Sequence, residues 1–196
     1  MMATMSEAAK KARVPYEEYL RQERLEQQKH EWIDGEVYAM VGGTPEHARL
    51  QGRLIRILGA ALEGGPCEVY TTDLRVRSRA TNIATYADIT VVCGDLETDS
   101  EDGDAVTNPT LIIEVLSPTT EAYDRGSKGT HYRQIPSLRE YVLVSQDTQH
   151  IEIFRRNVSG NWSFLEAFAG ESVVLESVGC TVSVDEVYKK PQKRSE

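Results

Sequence analysis

Residues 110–128 read TLIIEVLSPTTEAYDRGSK, and the fold turns on how this stretch is understood. It opens as a strand of branched apolar residues, Leu111, Ile112, Ile113 and Val115, interrupted by Glu114. A run apolar on both faces is typical of a central strand covered on both sides. An unpaired carboxylate buried there costs several kcal/mol, so something must compensate for it.

A second carboxylate, Asp88, stands in YADITVVC, another strand-like run. If the two strands are neighbours, both acids reach one point. Two carboxylates held together repel, and one pKa rises unless a cation neutralises them. A hard divalent ion bound through one or two carboxylates, water and substrate phosphate answers that problem. Lys128 could then orient an attacking water or stabilise charge developing on phosphate. The competing reading is a pair of strand-end acids held by arginines, and spacing alone does not separate the two.

The flanking elements are read outward from there. Residues 15–29, PYEEYLRQERLEQQK, predict a charged helix with Pro15 near its first turn. In HEWIDGEVYAM, Asp34-Gly35 between two strand-like runs signals a two-residue hairpin. A second helix begins at Thr44 as N-cap with Pro45 after it. It carries Leu50, Leu54, Ile57, Leu58, Ala61 and Leu62 on one face and ends at Gly64-Gly65. CEVYTTDLRVRSR alternates, ATYADITVVC reads as one strand, and residues 120–135 read as a further helical segment closing at Pro136. Gly126 and Gly129 weaken its start. REYVLVS, HIEIFRR and NWSFLEAF follow as a three-strand meander. The order predicts a mixed α/β (α+β) domain, one mixed sheet with helices packed on it, over residues 14–188. Residues 1–13 and 189–196 read as mobile or solvated tails.

Composition excludes several classes. The chain has 196 residues, 40% of them hydrophobic, which is enough for one core. It has no apolar run long enough to span a membrane and no signal-peptide core, so a cytoplasmic location is expected. Neither G-x-G-x-x-G nor a P-loop motif is present, which disfavours nucleotide-binding folds. Cys67, Cys93 and Cys180 are an odd count without C-x-x-C spacing and read as small reduced residues, with no disulfide indicated. The net charge of −9 argues against a nucleic-acid coat protein, yet a local basic groove or a bound metal still permits a nuclease.

YADITVV, IIEVLSPTTEAYDRGSK and HYRQIPSLREYVLVSQ together resemble the Uma-type family of bacterial restriction-endonuclease-like proteins, assigned to the PD-(D/E)XK nuclease superfamily. The resemblance runs over roughly residues 15–188, including IDGEVYAM and the helix carrying Glu46-His47. It implies a restriction-endonuclease-like core around a metal site. Asp88 and Glu114 match the superfamily's metal-binding acids, with Mg²⁺ as the cofactor and Mn²⁺ able to substitute. Ala87 stands where the motif has proline, and Leu116 where its lysine usually lies, so the lysine's role passes to Lys128. The implied activity is hydrolysis of phosphodiester bonds in nucleic acid, DNA in the first instance, by a homodimer. The alternative is a catalytically inactive nuclease-like scaffold acting as a binding or assembly module. A carboxylate-pair hydrolase of sugars is a third option, weakened by Trp32 and Trp162 both lying far from the acids in sequence.

Other residues stay open between a functional and a structural role. His47 and Glu36 could join the site or be surface residues, and Asp124 could orient Lys128 or form a solvated ion pair. Tyr123 and Tyr132 could stack on bases or pack in the core. Arg75, Arg77 and Arg79 share one strand face and, with Arg53 and Arg56, could contact phosphates or serve acids elsewhere. DLETDSEDGD, 95–104, lacks the EF-hand order and reads as a solvated loop.

Overall fold

The computed structural model describes residues 13–190; most of the two predicted tails, 1–12 and 191–196, lies outside the described residues. A six-stranded mixed sheet forms the centre, built from β3 (Cys67–Thr71), β6 (Ile89–Cys93), β8 (Leu111–Val115), β9 (Glu140–Val144), β10 (His150–Arg156) and β11 (Trp162–Phe168). Its spatial order is β11-β10-β9-β8-β6-β3. Only β8 and β9 run parallel within it. A parallel pair needs a crossover connection, and residues 116–139 supply it.

The expected single sheet is in fact two, with a hairpin besides. A five-stranded sheet of order β2-β1-β5-β4-β7 comprises β1 (His30–Ile33), β2 (Glu36–Ala39), β4 (Arg75–Ser78), β5 (Ile83–Tyr86) and β7 (Ala105–Val106). The short pair β12 (Ser172–Leu175) and β13 (Cys180–Ser183) follows the meander. ATYADITVVC is therefore two strands, β5 and β6, in different sheets, and the chain crosses between them at Ala87-Asp88. A run of apolar residues gives no local mark of such a transfer.

Helix α2 (Pro45–Leu62) follows the expected punctuation. Thr44 is extended and its hydroxyl accepts the His47 amide, Pro45 opens the helix, and Gly64 takes φ +73° after its end. Leu50, Leu54, Leu58 and Leu62 bury its inner face against Ile89 and Val91 of β6 and Leu111, Ile113 and Val115 of β8. The other face of β8, carrying Ile112, Glu114 and Leu116, meets a second core with Tyr132, Ile135, Leu138 and Tyr141. Asp34 (φ +46°) and Gly35 (φ +90°) form the expected turn between β1 and β2. The first helix is shorter than read: α1 spans Tyr16–Glu23 and packs Tyr16, Tyr19 and Leu20 on Trp32.

Three further expectations are corrected. Cys67 and Cys93 form a disulfide: they oppose each other in the β3–β6 register, flanked by the Gly94 amide bonded to the Pro66 carbonyl. That is a non-hydrogen-bonded position, where antiparallel strands come closest, and the register is invisible in the spacing. Cys180 is free and buried. The acidic segment 95–104 is not wholly solvated, because Asp99 and Asp102 are buried. Nor do Arg75 and Arg77 form an open phosphate stripe. Arg75 makes a bidentate pair with Asp102 (2.7 and 3.0 Å), and Arg77 is buried over the Tyr16 and Trp32 rings.

Candidate metal and nuclease centre

Asp88 lies at the crossing from β5 to β6, one residue before the Ile89↔Ile113 pair of the β6–β8 ladder. The next rung brings Asp88 opposite Glu114, and the two residues clamp each other. The Asp88 amide donates to Glu114 Oε2 (3.1 Å), and Asp88 Oδ2 accepts from the Val115 amide (2.7 Å). Helix α2 reaches the same carboxylate with two residues one turn apart. Gln51 Nε2 donates to Asp88 Oδ1 (2.6 Å), and His47 Nε2 lies 3.1 Å from Oδ2.

Lys128 comes from the crossover. Its helix is broken: α3 (Glu121–Tyr123) passes through a widened turn at Asp124–Lys128 into α4 (Gly129–Tyr132), kinked at Gly126 (φ −93°, ψ −106°). At Gly129 a side chain's first carbon would sit 2.8 Å from both the Asp124 carbonyl oxygen and Tyr141 Cε1. Glycine lets the turn press against Tyr141, whose hydroxyl donates to that same carbonyl (2.9 Å). Lys128 Nζ then reaches Glu114 Oε1 at 3.0 Å, with Asp124 Oδ1 at 3.8 Å. Leu116, two residues past Glu114, is buried in the core.

A further carboxylate was missed by sequence reasoning. Glu31 on β1 lies 2.9 Å from Lys128 Nζ and accepts the Tyr86 amide and the Tyr123 hydroxyl. The signal was weak, because HEWI carries only two apolar residues, Trp32 and Ile33, where LIIEV carries four around Glu114. Tyr132 is a core residue bonded to Thr85 and Glu114, not a stacking platform. Glu36 is exposed on β2, bonded to Tyr38, and the structure does not bring it to the cluster.

The electrostatics are unbalanced. Four carboxylates, Glu31, Asp88, Glu114 and Asp124, face one lysine and one histidine. Burial drives the Glu114 carboxyl well above its usual range against the pull of Lys128, and Asp88 and Asp124 add to the rise. Asp124 is raised as well, chiefly by burial. Lys128 is driven upward although burial opposes its charge, because Glu114, Glu31 and Asp124 outweigh that burial. The hydrogen bond to Asp88 raises His47.

This donor set fits a hard divalent ion. A carboxylate oxygen has two lone pairs; Glu114 Oε2 and Asp88 Oδ1 each use one, on the Asp88 amide and Gln51 respectively. Among the described residues no group of three or more His, Cys, Asp or Glu side chains is arranged as a ready metal cage. Mg²⁺ needs no such cage, since one or two carboxylates with water and substrate phosphate suffice.

Comparison with known proteins agrees with this architecture. The uncharacterized protein slr1290 of Synechocystis is 38% identical over 173 residues, covering 88% of this chain and 90% of that one. A second uncharacterized Synechocystis protein, sll1609, is 31% identical over 159 residues, covering 81% and 89%. A crystal structure from Anabaena variabilis, described as "a putative nuclease belonging to DUF820", superposes with a TM-score of 0.70 at 15% identity, over 87% of this chain and 95% of that one. At that identity the likeness speaks for the fold alone. The family described as "Uma2: Putative restriction endonuclease" matches residues 16–184, nearly all of the described chain, and the protein belongs to that family.

Proposed function

We propose that this protein is a divalent-metal-dependent endonuclease that hydrolyses phosphodiester bonds of nucleic acid, DNA in the first instance. The observation that carries the reading is the reciprocal clamp of Asp88 and Glu114, two carboxylates with lone pairs to spare inside a surplus of negative charge. Asp88 and Glu114 would hold Mg²⁺, with Mn²⁺ able to replace it. A divalent ion there supplies Lewis acidity toward a phosphate oxygen and lowers the pKa of a water nucleophile.

The chain's own residues do the placing. The β6–β8 ladder fixes both carboxylates on rigid strands, and such chemistry depends on placement and electrostatics more than on covalent catalysis. Lys128 sets a buried positive charge beside Glu114, where it would stabilise negative charge gathering on phosphate in a low-dielectric site. Gln51 and His47, both from α2, orient the Asp88 carboxylate. Cleavage of both strands of a duplex would call for two such sites, supplied by a homodimer.

One observation favours a second reading, a catalytically silent scaffold: Glu114 and Lys128 are both more than nine-tenths buried. The deciding experiment incubates supercoiled plasmid, single-stranded DNA and RNA with the wild type, Asp88→Asn and Glu114→Gln, in Mg²⁺, Mn²⁺ or EDTA. The nuclease reading expects metal-dependent cleavage by the wild type, reduced about a hundredfold or more in both variants. Equal cleavage by all three, or none with any substrate, rejects it in favour of the scaffold.

A further inference from the structure

We infer that Glu31 is a positioning residue that holds Lys128 and thereby sets how strongly Glu114 binds a cation. This rests on the metal-site reading above and adds a member to it from the five-stranded sheet.

The argument starts from hydrogen-bond capacity. A lysine ammonium has three N–H donors and no acceptor. Lys128 Nζ has three acceptors within 3.1 Å: Glu31 Oε1 (2.9 Å), Glu114 Oε1 (3.0 Å) and the Tyr86 carbonyl (3.1 Å). No donor is left for a water or a phosphate, and only 6% of the residue is exposed. Lys128 therefore works through its charge and its grip on Glu114 rather than by touching substrate. It occupies Glu114 Oε1 together with the Tyr132 hydroxyl (3.3 Å), which leaves Oε2 as the oxygen turned to Asp88.

Glu31 sits on the far side of that ammonium. It is buried, and both its oxygens are held: Oε1 by Lys128 and the Tyr86 amide (3.2 Å), Oε2 by the Tyr123 hydroxyl (3.1 Å). A carboxylate fixed so firmly shares the lysine's charge. Without it, the ammonium's full charge would fall on Glu114 and compete with a cation for the same carboxylate. Without the lysine, the cluster would be more negative and would draw a cation more strongly. The two residues should thus act in opposite directions, and the part of the Glu31 effect that runs through its hold on Lys128 should vanish with the lysine.

Mn²⁺ titration by electron paramagnetic resonance, which counts free ion and needs no substrate, tests this on the full-length protein. Unfolding followed by circular dichroism shows that each variant is folded. Relative to the wild type, Glu31→Gln should bind Mn²⁺ roughly tenfold more weakly and Lys128→Met more tightly, as expected for one charge removed at close range. In the Lys128→Met background, Glu31→Gln should weaken binding clearly less than in the wild type, the mark of coupled residues; an equal loss in both backgrounds would assign the effect to the charge of Glu31 alone and overturn the inference. A merely structural role would weaken binding in both single variants alike, and that result overturns the inference. Should Lys128→Met not fold, Tyr123→Phe takes its place. It frees Glu31 Oε2, should weaken Mn²⁺ binding alone, and should add nothing in Glu31→Gln; independent, additive losses would overturn the inference. If the wild type and Glu31→Gln bind Mn²⁺ equally while Glu114→Gln does not, this inference falls and the metal site stands. If the wild type binds no Mn²⁺, the metal site falls and Glu31's role with it.

Discussion

The protein buries two clusters of opposed charge, and they are built on different plans. On the five-stranded sheet, Arg75 meets Asp102 in a bidentate pair and Arg79 meets Asp99 likewise. Tyr16 and Tyr86 complete the Arg75 shell with hydroxyl bonds to Asp102 and Arg75. Asp102 and Asp99 each have their own bidentate arginine, with Glu23 3.9 Å from Arg75 and Glu101 3.2 Å from Arg79 at the edges. At the junction of the two sheets, Glu31, Asp88, Glu114 and Asp124 share Lys128 and His47. The first cluster is closed; the second has carboxylate lone pairs and negative charge in surplus. Buried ion pairs alone thus say little about function, whereas the uncompensated set at the strand crossing is where the proposed cation site lies.

The largest effect should come from breaking the closed cluster. Arg75→Met leaves Asp102, which is fully buried, without its cation. Stripping one partner from such a pair costs about 3–5 kcal/mol, which denaturant unfolding should register, while Mn²⁺ affinity stays unchanged. A loss of metal binding without loss of stability would mean the two clusters are not separate. Next comes the crossover turn. Gly129→Ala forces a methyl group into the Asp124 carbonyl and the Tyr141 ring. We expect roughly 1–3 kcal/mol of destabilisation from overpacking, read by denaturant unfolding, with Mn²⁺ affinity altered because Lys128 and Asp124 ride on that turn.

The smallest effect is a pH dependence at the edge of the closed cluster. The Arg79 hydrogen bonds hold the Asp99 carboxyl below its ordinary 3.8. Its contribution is therefore present above pH 3.8 and lost as pH falls through the lower folded value. Arg79 is half exposed, so solvent screens the pair and the effect is small. Asp99→Asn should be less stable than the wild type at pH 7, and the gap should close in acid. A gap that persists at pH 2 would assign the effect to packing instead.

Much of this arrangement could be read from local chemistry. Thr44-Pro45 marks the start of α2, Asp34-Gly35 the hairpin, and Glu114 announces itself because a carboxylate inside LIIEV needs a reason. What escaped depends on contacts between distant segments. The transfer of the chain between sheets at Asp88 leaves no local signature in ATYADITVVC. Nor does spacing reveal that Arg75 would find Asp102 or Cys67 find Cys93, because both depend on strand register. The argument used for Glu114 does not reach Glu31, since its strand is short and half polar and its lysine lies far along the chain.

The central claim is that Asp88 and Glu114 form a cation site, and thermal unfolding in rising Mg²⁺ and Mn²⁺ tests it without any choice of substrate. A site filled at 100 times its dissociation constant stabilises the fold by about 2.7 kcal/mol. The account predicts that the wild type is stabilised and Glu114→Gln is not. Equal stabilisation of both proteins, or a Glu114→Gln variant that alone becomes more stable without metal while the wild type ignores it, would contradict it.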